Sequence, residues 1–239
     1  GSMAKKIYDE SGVDYTNVII SKDHATGAAG ILIDEKSGAN SINVVPGAAG
    51  ALTIQDIDKA SDSIKNSSIF LTQLEAPKEV VFHSLKKANQ NSVKTILNPA
   101  PAASIDKEIF SMIDYFTPNE TEASFYVNHP IETLEDAKQA SKKILEMGVK
   151  NVIITLGEKG AYFENKEENY FAPIANLNNP IVDTTGAGDA FNAGLAVALS
   201  EGKNIKESLN FASATAGIST TKLGTANSMP LRDEIEKIL

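Results

Sequence analysis

From about Ser68 onward, short apolar runs rich in β-branched residues alternate with longer stretches whose apolar residues recur at helical spacing. Few folds satisfy that alternation. Strands that share a direction need a crossover to carry the chain back, and a helix over the sheet supplies it. The pattern therefore predicts a mainly parallel sheet between layers of helices. The predicted strands are residues 68–74, 93–98, 115–118, 151–156 and 181–184, and the helices between them are 77–89, 106–113, 120–127 and 133–147. The last of these opens on Thr133-Leu134-Glu135-Asp136, which resembles a capping box, and stops before Gly148. After Asp189 the pattern turns to almost continuous helix, 190–200 and 205–220, with a closing turn or two at 231–239. Alanine is abundant there, as suits helices that pack closely.

The first fifty residues differ. Residues 17–21, 29–34 and 41–45 read as strands joined by polar turns, an antiparallel patch beside the main sheet. Gly1-Ser2 ahead of Met3 reads as a pair left by tag removal, and the natural chain is read from Met3. A length of 239 residues with 42% hydrophobic residues suits one large α/β domain.

Composition narrows the chemistry. The formal charge of −9, with lysine and arginine dispersed, offers no footprint for nucleic acid or an anionic membrane. Without cysteine there are no disulfides, thiolate metal sites or thiol nucleophiles, and His24, His83 and His129 lie too far apart in sequence for a histidine metal motif. With no long apolar run and no leader pattern, the default expectation is a cytoplasmic protein acting on small molecules.

The segment that points to chemistry runs from Pro180 to Gly194 and centres on Gly186-Ala187-Gly188-Asp189. A predicted strand passes through two glycines into an apolar helix. A helix N-terminus presents unpaired N–H groups and partial positive charge, and glycines let an anion approach the backbone. Phe191 stands where a dinucleotide fingerprint needs its last glycine, and no Walker pattern occurs, so neither standard phosphate loop is present. Asp189 is the unusual residue, since a carboxylate beside a phosphate cradle repels the ligand. Two readings stand: it takes a proton from an attacking hydroxyl, or it caps its helix. Asp183 is a strand-end turn former or a cation ligand.

Other segments carry weaker signals. Thr117 to Glu122 closes a strand with proline and opens a helix with acids, which is ordinary capping, although Glu122 could hold a magnesium-bound water. Ile154 to Ala161 reads as a strand ending in a glycine turn, which a hairpin explains without a ligand. Gln73-Leu74-Glu75-Ala76-Pro77 and Leu97-Asn98-Pro99-Ala100-Pro101-Ala102 fall at the carboxyl ends of predicted strands, the edge where open α/β sheets bind ligands. Glu75 and Asn98 either face a pocket or cap loops.

Taken in order, these segments resemble the ribokinase branch of the carbohydrate kinases, the PfkB-type group that also holds fructokinases and adenosine kinases. The likeness runs from about Val13 to the C-terminus and includes Pro118-Asn119-Glu120-Thr121-Glu122-Ala123 and Val182-Asp183-Thr184-Thr185-Gly186-Ala187-Gly188-Asp189. It implies a three-layer ribokinase-like fold with a small β lid, of which residues 17–46 are the remnant. It also implies transfer of the γ-phosphoryl group of ATP to the terminal hydroxyl of a pentose, ribose first. Asp189 would be the base, with the amides of Gly186, Ala187, Gly188 and Asp189 steadying the phosphoryl group. Asn119, Thr155, Gly157 and Gly160 would line the nucleotide site, Glu122 would act near Mg2+, and Glu75 would touch the sugar. Ser213 stands where some relatives stack a histidine on adenine. Asp183, Thr185, Ser219, Lys222, Gly224 and Ser228 match positions that hold K+.

The resemblance lacks the family's N-terminal portion, which carries the first strands of the sheet, a sugar-gripping aspartate and a Gly-Gly-Lys-Gly-Ala-Asn segment. Three expectations follow: impaired turnover, uncovered sheet surface, and a homodimer or swapped assembly that covers it. Two other readings stay open. One is a non-catalytic nucleotide-binding or oligomerising fragment; the other, an α/β oxidoreductase, is disfavoured by the missing dinucleotide fingerprint.

Overall fold

The structure, a computed structural model, describes residues 1–33, 40–177 and 179–239. The chain opens with helix α1 (Ser2–Glu10) and passes through an irregular stretch into strands β1 (Thr26–Ile33) and β2 (Asn40–Gly47), which pair antiparallel as a two-stranded ribbon. Helices α2 (Ile54–Lys59) and α3 (Ser61–Lys65) lead to the main sheet. That sheet takes β3 (Ile69–Thr72), β4 (Lys94–Leu97), β5 (Tyr115–Phe116), β6 (Asn151–Thr155), β7 (Ala161–Asn165) and β8 (Asn169–Ala172) in sequential order. The first four run parallel, and β6, β7 and β8 form an antiparallel meander.

Crossovers between the parallel strands are α4 (Lys78–Gln90), α5 (Lys107–Phe110), and the pair α6 (Glu120–Val127) and α7 (Leu134–Glu146). The C-terminal helices are α8 (Ala187–Ser200), α9 (Ile205–Thr220) and α10 (Arg232–Glu236). The pleat makes three layers of this, because neighbouring strand residues face opposite ways. Leu97, Val152 and Ile154 join Val81, Leu85, Ala137 and Ile144 in one core, under α4 and α7. Their neighbours Ile96 and Ile153 join Phe191, Leu195, Leu209 and Ala212 in the other, under α8 and α9. The expected alanine-rich packing is present, with Ala190, Ala198, Ala212 and Ala214 all buried.

Two predicted strands are corrected. Residues 181–184 are irregular and outside the sheet: the Val182 and Asp183 amides both donate to the carbonyl of Thr220, at the end of α9, so these two amides are satisfied without a strand partner. Residues 17–21 are also irregular, following a turn in which the Thr16 amide and hydroxyl bond Asp14 Oδ1 at 2.9 and 2.6 Å. The expected 29–34 strand lies within β1 as far as Ile33, with Asp34 outside the described residues, and 41–45 lies within β2. Helix 106–113 shortens to α5, since beyond it the Met112 and Ile113 amides reach only three residues back, to Ile109 and Phe110. The remaining elements fall where predicted within a few residues, and Thr133 caps α7 in a capping box with Asp136. No helix among the described residues is long and apolar enough to cross a membrane.

Candidate active site

The carboxyl ends of β3, β4 and β5 deliver Gln73, Asn98 and Thr117 to one edge of the sheet, and the first turn of α8 meets them there. Gln73 Nε2 donates to Asp189 Oδ1 at 2.9 Å and lies 3.3 Å from Asn98 Oδ1. Asn98 Nδ2 donates to the Thr117 carbonyl at 2.8 Å, and Thr117 Oγ1 donates to Asn192 Oδ1 at 2.7 Å. Four segments far apart in sequence are thereby joined around Asp189.

Helix α8 starts three residues earlier than expected, which puts Asp189 inside its first turn. Gly186 is the N-cap, at φ +79°, and no side chain caps the helix, so Asp189 does not serve as its cap. Among the described residues, no protein acceptor takes the amides of Gly186, Gly188 or Asp189, whereas that of Ala187 donates to Thr184 O at 3.2 Å. Unpaired donors at a helix start are what an anion needs. A side chain at 186 would be strained twice, by the left-handed φ and by Thr225, whose Cβ and Cγ2 lie 3.2 Å from where a Cβ would stand.

Of the six positions expected around a monovalent cation, three converge. Asp183 Oδ1 accepts from the Thr185 amide at 2.9 Å and Oδ2 from the Gly224 amide at 3.0 Å. Donors on Thr185, side chain before amide, and then the Gly224 amide hold the Asp183 carboxyl below its ordinary value. Thr225, next to Gly224, is the residue against Gly186, so this cluster abuts the anion turn. The Lys222 side chain pairs with Glu234, its Nζ 2.8 Å from the carboxylate, which leaves its backbone carbonyl as the group expected at the cation. Ser219 and Ser228 are buried, with hydroxyls donating to Ala216 and Thr225 carbonyls.

The expected nucleotide residues split. Asn119 and Thr155 sit side by side at the ends of β5 and β6, bridged by the Thr155 amide to Pro118 O at 3.0 Å. Asn119 caps α6 in a capping box: its Oδ1 accepts from the Glu122 amide, and Glu122 Oε2 accepts from the Asn119 amide, both at 2.8 Å. Gly157 and Gly160 form the turn of the β6–β7 hairpin, the ligand-free explanation expected for them. Ser213 is buried within α9, and Glu75 is exposed just past β3.

Burial pushes the Glu122 carboxyl above its ordinary value of 4.5, the Asn119 amide opposes that, and the charge of Glu120 adds to it. A raised folded value means the native state binds the proton more tightly than the unfolded chain, so stability falls as pH rises from about 4.5 through the folded value. Glutamine at this position keeps the capping box without the charge. Glu122→Gln is therefore expected to be more stable than the parent at pH 7, with the gap closing below pH 4.5; urea unfolding across that range checks it.

Sequence reasoning missed Gln73 as a partner of Asp189, and Asn192 and Thr225 altogether. Only the position of Gln73 just past a parallel strand could have flagged it.

Similarity to known proteins shows which family the chain belongs to. The family model described as "pfkB family carbohydrate kinase" matches residues 1–232. The chain belongs to this family. Among curated members it is 36% identical over 239 residues to the ribokinase of Haemophilus influenzae, covering all of this chain and 77% of that protein. It is 32% identical over 216 residues to the deoxyribokinase of Salmonella typhimurium, covering 90% and 70%. An Arabidopsis thaliana ribokinase solved with ribose and ATP superposes with a TM-score of 0.84 at 35% identity, over 90% of this chain and 70% of that one. The expected three-layer fold and the pfkB-type phosphotransferase class hold.

Proposed function

We propose that this pfkB-family chain transfers the γ-phosphoryl group of ATP to the terminal hydroxyl of ribose, giving ribose 5-phosphate and ADP. The observation that carries the reading is the Asp189 carboxylate, held by Gln73 beside the unpaired amides that open α8. Asp189 would take the hydroxyl proton, the freed oxygen would attack the γ-phosphorus, and the bond to the bridging oxygen would break, releasing ADP. The amides of Gly186, Gly188 and Asp189 would steady the negative charge that develops on the phosphoryl oxygens. Similarity to the Haemophilus ribokinase, and to a structure holding ribose and ATP, supports both substrates.

Mg2+ would accompany the nucleotide. Among the described residues no three acidic or histidine side chains cluster, which suits an ion held mainly by phosphates and water, with Glu122 near it. K+ would be held by Asp183, with backbone carbonyls of the 219–228 segment, which reaches Asp183 through the Gly224 amide, as its neutral oxygens. The deoxyribokinase relative supports 2-deoxyribose as the second candidate acceptor, since the same terminal hydroxyl reacts. At the surface, β3 is an edge strand with Leu71 exposed, and Val44 and Val45 are exposed on the ribbon, which supports pairing with a second copy.

The test is ADP release with ribose, 2-deoxyribose, fructose and adenosine as acceptors. Ribose is expected to give the highest kcat/KM, and the expected slowing of turnover is read in the same assay. No acceptor-dependent ADP, with ADP still bound in calorimetry, would leave the non-catalytic reading in its place.

A further inference from the structure

Resting on the kinase reading, we propose that Gln73 is a positioning residue for the acceptor reaction, holding Asp189 at the end of a hydrogen-bond relay built from Asn98, Thr117 and Asn192. Gln73 follows the last residue of β3 and bonds a residue 116 positions further on. Nothing in its neighbourhood in sequence explains why a carboxamide should stand there.

The relay has a defined polarity. Asn192 Nδ2 donates to the Gly188 carbonyl at 2.9 Å, which can only accept, so Asn192 Oδ1 must face the Thr117 hydroxyl and receive its proton. Asn98 Nδ2 likewise faces the Thr117 carbonyl, which leaves its Oδ1 for Gln73. Gln73 must therefore present its NH2 group, and that same group is aimed at the Asp189 carboxylate. Backbone carbonyls, of Gly188 and Thr117, set Asn192 and Asn98, and Asn98 in turn sets Gln73.

Burial keeps water from competing. Asn98, Thr117 and Asn192 are 8%, 1% and 4% exposed, while Asp189 itself is exposed. With Gln73 on Oδ1, Asp189 Oδ2 carries no hydrogen bond among the described residues and is the oxygen open to an incoming hydroxyl. The relay also fixes the Gly188 carbonyl, and with it the turn that presents the unpaired amides. Base and anion cradle are thus registered to the sheet by one chain of contacts.

Losing the Gln73 donor frees the carboxylate to rotate, which costs orientation in the reacting complex and not affinity. Gln73→Met is expected to lower kcat about tenfold, with KM for ATP and ribose changed less than about twofold. Gln73→Glu has nearly the same shape but no NH2 group, and is expected not to restore the rate. In the Asp189→Asn background, Gln73→Met is expected to have no further effect. A kcat within about twofold of the parent, or an equal loss in both backgrounds, would overturn the proposal. If the parent releases no acceptor-dependent ADP, the kinase reading fails, and the side-chain amide resonance of Gln73, identified by its loss in Gln73→Met, decides the relay. Its displacement in Asp189→Ala would support the bond, and an unmoved resonance would overturn it.

Discussion

Asp189→Asn is expected to lower ribose-dependent ADP formation by about a thousandfold, the scale of removing a general base. Asparagine has the same shape and still offers Oδ1 to Gln73, so the first turn of α8 keeps its geometry. Lost are the proton acceptor and one negative charge. Because that charge sits beside unpaired amides meant for an anion, ADP is expected to bind at least as tightly as before. Kinetics and calorimetry on the same preparation therefore move in different directions. A helix-capping role predicts otherwise, since asparagine caps as well as aspartate and turnover would be unchanged. Gly186 already occupies the cap position with no side chain on it.

The largest expected effect on stability lies at Gly160. Its φ is +114°, and a Cβ there would stand 2.2 Å from the Ala172 carbonyl oxygen and 3.1 Å from Pro173 Cα. Both neighbours are backbone beside the β7–β8 pairing and have no flexible end to swing away. Gly160→Ala is expected to cost about 3 kcal/mol, through clash and left-handed strain together. Gly157 makes the control: its φ is +51°, and its nearest neighbour is the Glu120 carboxylate at 3.8 Å. Gly157→Ala is expected to cost only about 1 kcal/mol. Denaturant midpoints of the two variants check the difference, and equal losses would show that the hairpin accommodates a methyl group at either position. The resemblance placed both glycines at the nucleotide; the packing accounts for Gly160 with no ligand at all.

What the sequence made legible follows from local chemistry. Residues 133–136 announced a helix start because a capping box is a contact between near neighbours, and it forms wherever the helix does. Parallel strands 93–98 and 151–156 were legible because burial on both faces leaves adjacent apolar residues, Ile96-Leu97 and Val152-Ile153-Ile154. Ile181 and Val182, and likewise Val18, Ile19 and Ile20, carry the same β-branched signal yet form no strand. Such composition says that a segment suits a sheet, and whether an edge is within reach is a property of the whole fold. The candidate site divides along the same line. Gly186 to Asp189 could be read because the glycines and the acid sit together. Gln73 and Asn192 could not, because their meaning lies in partners 116 and 75 residues away.

The irregular 181–184 segment has a mechanical consequence. Since its amides hang on the terminal carbonyl of α9, and Asp183 on the Gly224 amide, the anion turn belongs to the same cooperative unit as the C-terminal helices. Fraying at the end of α9 would dissolve the proposed anion turn while the parallel strands, with Asn119 and Thr155 at their tips, stayed folded. On the proposed assignment, grip on the phosphates and grip on the rest of a nucleotide would be lost at different free energies, the first with a local opening and the second only with the sheet.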